Sequence, residues 1–244
     1  MDAAIILKAL SFGLLSASSL VIGASLGYFL NFSKKIIATS LSYGSGVLIA
    51  AVCFSQIPEA RHLASTAIVL LGLFLGTIVF ILAGKSLSLI QKRNASKKSN
   101  SPNSNIALLL AIGALLDGIP ESLSLGLGFL DGGELSHVLL IAIFLSNLPE
   151  GLSSASSMKQ SGKSASQIFC LWGGIALVCS LSAAAAPLFL HDVNPMILGF
   201  IIAFSAGAIL CMVVDSMIIE AFETTHDWTG LVFVLGFITA YAIH

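Results

Sequence analysis

Charged residues are scarce in this chain. Asp, Glu, Lys and Arg make up 9% of its 244 residues, against the roughly 25% of an ordinary soluble domain, which excludes a surface that water covers well. A net charge of −1 removes the basic face that nucleic acid requires. The four cysteines, Cys53, Cys170, Cys179 and Cys211, all fall in apolar stretches and form no C-x-x-C pair. Neither a disulfide framework nor a structural zinc site is therefore expected, and packing is their expected role. No histidine sits in the middle of an apolar stretch: His62, His137, His191, His226 and His244 all fall near ends or between stretches. This counts against an intramembrane hydrolase, which needs a base at depth. Lys and Arg are likewise absent from these stretches except near their ends.

What is abundant is apolar sequence. Hydrophobic residues make up 57% and mean hydropathy is +1.00. Apolar stretches run near 9–30, 36–57, 64–84, 106–129, 135–158, 166–189, 195–219 and 228–243. Most reach the about 20 residues that a helix needs to cross a bilayer, and the last is short. The expected fold is an all-α membrane protein of eight transmembrane helices in a single domain spanning 1–244. The first stretch lacks the cleavage pattern of a removed signal peptide.

Nine basic residues, Lys34, Lys35, Lys85, Lys92, Arg93, Lys97, Lys98, Lys159 and Lys163, fall in the 1–2, 3–4 and 5–6 connections, while only Lys8 and Arg61 fall on the other side. The excess places those three loops in the cytoplasm. With an even number of spans, both termini are then extracytoplasmic, in the cell (inner) membrane. The longest connection, residues 91–105 (Q-K-R-N-A-S-K-K-S-N-S-P-N-S-N), reads as a polar, low-complexity linker.

Against this apolar background stand two motifs, D-G-I-P-E-S at 117–122 and S-N-L-P-E-G at 146–151. A carboxylate at the bilayer centre costs roughly 2.5 to 3.5 kcal/mol on insertion scales, so such residues persist mainly along ion or substrate paths. Each glutamate follows a proline, whose missing N–H leaves a carbonyl one turn earlier free for a ligand. Asp117 and Glu121 share one helix face, as do Ser146 and Glu150, with Asn147 one step around. Asp215 and Ser216 on the seventh stretch, expected to be buried, and Gln56 on the second complete the candidate cation site. Without buried cationic partners, Asp117, Glu121 and Glu150 require a proton or a bound cation. Glu59 and Glu220 fall near opposite membrane faces and read equally as interfacial charges or entrance ligands.

A repeat accompanies the motifs. Residues 46–60 (G-V-L-I-A-A-V-C-F-S-Q-I-P-E-A) align without gaps with 207–221 (G-A-I-L-C-M-V-V-D-S-M-I-I-E-A). In the topology above the two copies are inverted across the membrane, a plan that secondary transporters use to build a midplane site on broken helices.

With these residues in view, the chain resembles the ZIP (Zrt/Irt-like) divalent-metal transporters over its full length. That family has eight spans, outside termini, H-N-x-P-E-G in span four and H/Q-x-x-P-E-G in span five. The resemblance implies that Glu121 and Glu150 are bridging metal ligands and that Pro120 and Pro149 are the kink prolines. Asp117 stands where the family has a histidine, Gly118 where it has asparagine, Ser146 at the span-five His/Gln position and Asn147 at the polar position after it. Asp215 or Ser216 corresponds to the span-seven contribution. The family implies a binuclear site, and carboxylate in place of imidazole makes a harder, oxygen-only one. Zinc is the family default, with manganese and iron as the other candidates.

The function expected is divalent-cation transport toward the cytoplasm by alternating access, the ion being substrate and no cofactor being required. Gly-rich faces at Gly44, Gly46, Gly72 and Gly76 suit sliding or close static helix contacts. A non-transporting scaffold that kept the fold and lost the metal is the rival reading. Expected partners are divalent metal ions and the lipid bilayer, with a homodimer as the alternative to a monomer.

Overall fold

A computed structural model describes residues 3–96, 104–129 and 134–243. Among the described residues the chain is helical and contains no strand. Helix α1 spans Ala3–Phe29. Helix α2, Lys34–Ala51, passes through a π-helical segment, Val52–Gln56, into α3, Ile57–Leu63. Then follow α4 (Thr66–Ser96), α5 (Ser104–Leu127), α6 (Glu134–Gln160) and α7 (Ala165–Leu190). Helix α8, Pro195–Met212, passes through a second π-helical segment, Val213–Ile218, into α9, Ile219–Thr225. A 3-10 turn, His226–Trp228, leads to α10, Thr229–Ile243.

Six helical stretches among the described residues are long and apolar enough to cross a membrane: Ala3–Phe29, Lys34–Leu63, Thr66–Ser86, Leu139–Gln160, Ala165–Leu190 and Pro195–Ile243. These are the dimensions of a multi-pass membrane protein. The last stretch is 49 residues long, about twice what one crossing needs. Helix α4 continues to Ser96 and α5 begins at Ser104, so helix intrudes on both ends of the expected 91–105 linker. Residues 97–103 of that linker lie outside the described residues.

Close contacts fix the directions of the helices. Gly23 and Gly27 of α1 lie against Leu148 and Leu152 of α6, so these two run the same way. Gly72 and Gly76 of α4 lie against Phe200 and Phe204 of α8, again in parallel. Ser42 of α2 donates its hydroxyl to the Thr229 carbonyl at 2.6 Å, and Gly46 lies against Phe233, which makes α2 and α10 parallel. In contrast, Gly13 of α1 meets Ser180 of α7 while Tyr28 and Phe169 stack edge to face at 5.9 Å, an antiparallel pair. Gly199 of α8 meets Ala60 of α3 while Gly44 of α2 faces Met217, so the α2–α3 rod opposes the α8–α9 rod. Because α10 follows α2, the chain reverses at His226–Trp228, where His226 takes a positive φ of 37°. The 49-residue stretch is thus two helical segments that run in opposite directions, the second packed on α2 and not on α8.

Glycine sets the spacing of the α4/α8 and α2/α10 pairs from both sides. A Cβ on Gly76 would overlap the Phe204 carbonyl, and one on Gly207 the Leu73 carbonyl. Thr77 Oγ1 reaches across the same seam to the Gly207 carbonyl at 3.1 Å. In a bilayer, where lipid is as apolar as leucine, such backbone approach supplies much of the helix association. Gly76→Leu is therefore expected to cost at least about 1 to 3 kcal/mol, because the obstructing atoms are backbone and cannot turn aside. Thermal unfolding in detergent checks this, and an unchanged midpoint would show that the seam is loose.

The rods built on α2 and α8 share their segmentation. Lys34 and Pro195, Ala51 and Met212, and Val52 and Val213 open or close corresponding segments (195 minus 34, 212 minus 51 and 213 minus 52 all give 161). The caps obey the same spacing: the Ser33 side chain accepts from the Ile36 N–H, and the Asn194 side chain from the Met196 N–H, each satisfying a donor left over by the first helical turn. Each π segment begins after eighteen regular residues. Such segments insert a residue into a helix and turn the side chains that follow.

Candidate metal-transport site

Helices α5 and α6 carry the two proline-glutamate steps, with Pro120 and Pro149 inside continuous helix. Proline offers no N–H to the carbonyl four residues earlier, so the carbonyls of Leu116 and Leu145 lose their regular donors. Glu121 is 1% exposed, and neither carboxylate oxygen has a hydrogen-bond partner among the described residues. Glu150, half-buried, interacts electrostatically with Glu121 and with Glu220. No lysine or arginine is buried among the described residues. The arrangement therefore sets two carboxylates near each other in the interior with no internal cation to offset them, a costly state unless a proton or an ion completes it.

Buried neutral oxygen donors lie on α6 and on the first π segment. Ser146 is buried and donates its hydroxyl to the Ile143 carbonyl at 3.0 Å, which leaves its lone pairs open. Asn147 is buried on the same helix. Gln56 is buried within the π segment, and its Oε1 has no partner among the described residues. The neighbouring Ser55 Oγ shares that condition. Helix α2 packs directly over the α6 motif: a Cβ on Gly44 would lie 3.3 Å from Ser146 Cα and 3.5 Å from Pro149 Cγ.

Other expectations are corrected. Asp215 and Ser216, expected to be buried, are exposed. The second π segment turns Val213 and Met217 inward and Val214, Asp215 and Ser216 outward. Asp215 Oδ2 accepts from Cys211 Sγ at 3.4 Å and is not brought to the buried Glu121. The Asp117 backbone lies in α5, but its side chain lies outside the described residues. Among the described residues, no three His, Cys, Asp or Glu side chains converge closely enough to hold an ion. His62, His191 and His226 are exposed, and His191 pairs with Asp192 at 2.8 Å; the His137 side chain and His244 lie outside the described residues.

Two features escaped the sequence reading. Cys179 of α7 is buried with its Sγ where a Cβ on Gly118 would stand, so a thiol borders the α5 motif and the surroundings are not purely oxygen. The missing side chain at Gly118 leaves room for the thiol, but nothing along α5 names its neighbour on α7. Ser153 of α6 donates its hydroxyl to Glu220 Oε1 of α9, a contact between helices that spacing along either one does not signal.

No protein-family profile matches the chain, and no curated protein matches it.

Proposed function

We propose that this chain is a divalent-cation transporter of the ZIP type, moving zinc, manganese or iron toward the cytoplasm by alternating access. One observation carries the proposal: Glu121, fully buried and without a hydrogen-bond partner among the described residues, interacts electrostatically with a second carboxylate, Glu150, on a neighbouring proline-containing helix. A transported cation supplies the charge that the interior lacks. Asp117, Ser146, Asn147 and Gln56 are the other proposed ligands, within a single transmembrane domain. Asp215 and Ser216, by their exposure, fit a role outside the buried pair.

The architecture supports the same reading. Eight crossings follow if α5 spans and if α8–α9 and α10 cross separately, and the parallel and antiparallel pairs described above are of the kind that eight alternating crossings would give. The common 161-residue spacing of the α2–α3 and α8–α9 rods, which run in opposite directions, supports an inverted repeat. Such repeats place substrate sites on interrupted helices at the midplane, and here the irregular points are two π segments and two prolines within continuous helix.

A binder gains stability with its ligand by RT ln(1 + [L]/Kd), about 2.7 kcal/mol at a hundredfold excess over Kd. Purified protein in detergent is thus expected to melt at a higher temperature as Mn²⁺ or Zn²⁺ is raised, and a melting point independent of every metal tested would leave the non-transporting scaffold.

The proposed orientation has its own check. A single cysteine at position 96, in a background without the four native cysteines, is expected to resist an impermeant thiol reagent in intact cells and to react once the membrane is opened. Labelling in intact cells would reverse the orientation.

A further inference from the structure

A slot opens on the side of the bundle where three elements meet. The α2 rod forms its floor with Val47 and Ala51, α6 one wall with Ala142 and Leu145, and α10 the other with Ala240, and all but Leu145 are buried. Free space counted out to the mouth is about 300 Å³, and the closed end admits a group no larger than a water or a hydroxyl. Ile141 and Ile243, 40% and 43% exposed, stand at the mouth. In a chain that crosses the bilayer, this mouth faces lipid tails. Phe54 borders the slot and rests edge-on against Phe237 at 5.6 Å and Tyr241 at 5.2 Å, which anchors its ring on α10.

One polar side chain lines this apolar slot. Ser55, in the first π segment, is 4% exposed, and its Oγ has no hydrogen-bond partner among the described residues. A helical serine ordinarily donates to a carbonyl three or four residues back, as Ser45 does to the Leu41 carbonyl at 2.8 Å. The Ser55 hydroxyl neither gives nor takes, a costly condition in apolar surroundings. These features select a ligand. A phospholipid tail brings no oxygen to this depth: Ser55 stands eight residues before Leu63 (63 minus 55), the end of its rod, or about 12 Å along it, while the polar groups of a lipid stay at the interface. A water would find one polar side chain, against the about three bonds that a buried water makes. An alcohol both gives and takes through one small oxygen and leaves its chain among apolar side chains.

We propose that this slot binds a small aliphatic alcohol, its hydroxyl paired with Ser55 Oγ at the closed end and its chain directed toward Ile141 and Ile243. Bound there, it touches α6 at Leu145, one residue before Ser146, yet uses none of the proposed cation ligands. The site therefore stands or falls apart from the transporter reading, and its test needs no metal.

A hexanol carrying a diazirine on its chain, photolysed with the purified full chain in detergent, is expected to leave adducts on residues lining the slot, and excess 1-hexanol to compete them away. Ser55→Ala forfeits no hydrogen bond within the protein, so it should fold, and it is expected to lower this labelling about three- to tenfold, the range that one neutral hydrogen bond produces. Ala240→Phe, which sets a ring in the slot, should abolish the labelling; if that variant does not fold, Ala240→Leu carries the same expectation. Adducts found only elsewhere on the protein, or adducts in the slot that survive its filling at position 240, would overturn the site. Labelling unchanged in Ser55→Ala would overturn the pairing and leave water as the partner of Ser55.

Discussion

Replacing Glu121 and Glu150 together by Gln is expected to abolish metal uptake while leaving a folded protein in the membrane. The two carboxylates interact electrostatically, and no buried lysine or arginine among the described residues neutralises them, so a cation is left to do so. A unit charge about 4 Å from an ion contributes about 4 kcal/mol at an effective dielectric of 20, and 4 kcal/mol is close to a thousandfold in affinity. Folding should survive for a reason visible in the structure. Neither Glu121 oxygen has a hydrogen-bond partner among the described residues, so Gln forfeits none, and removing a buried charge relieves an insertion cost. Metal-dependent uptake at wild-type rate, with equal amounts of protein in the membrane, would remove both residues from the transport path.

Asp117→His is expected to shift preference toward zinc over manganese by about tenfold, which corresponds to 1.4 kcal/mol. Imidazole suits Zn²⁺, whereas carboxylate suits Mn²⁺. Asp117 lies one helical turn before Glu121 on α5, so a ligand there shares its face. The buried thiol of Cys179 against Gly118 makes the comparison more informative. In Asp117→His the only first-turn change is the ring, so a selectivity shift reports on position 117 and leaves the thiol constant. Competition of the two metals for uptake measures it, and an unchanged ratio would place Asp117 outside the ions' reach.

Much of the scaffold was legible in sequence because hydropathy is a one-dimensional signal. The apolar stretch beginning near 195 coincides with the start of α8 at Pro195, where Asn194 caps the helix and proline at the first turn forgoes an N–H that has no partner there. The P-E steps were legible for the same reason: proline and a carboxylate inside an apolar run conflict with their surroundings, and such conflicts mark sites. The orientation of Asp215 and Ser216 was not legible. A regular helix carries the phase of its side chains forward from residue to residue, but the π segment beginning at Val213 resets that phase, and its hydrogen-bond register leaves no mark in composition. The contact of Cys179 with Gly118 and that of Ser153 with Glu220 were hidden for a different reason. Each joins helices whose mutual rotation depends on backbone approach at glycines such as Gly126, where a Cβ would overlap the Ala183 carbonyl, and spacing along one helix carries no information about that rotation.

Glu121, buried, and Glu150, half-buried, are proposed to carry a divalent cation through the membrane. The most direct test is flux of Mn²⁺ and Zn²⁺ into liposomes containing only the purified protein, with empty vesicles as reference. Saturable uptake of at least one of the two, competed by the other, is the predicted result. Flux indistinguishable from empty vesicles for both ions, in protein shown to be folded and inserted, would contradict it.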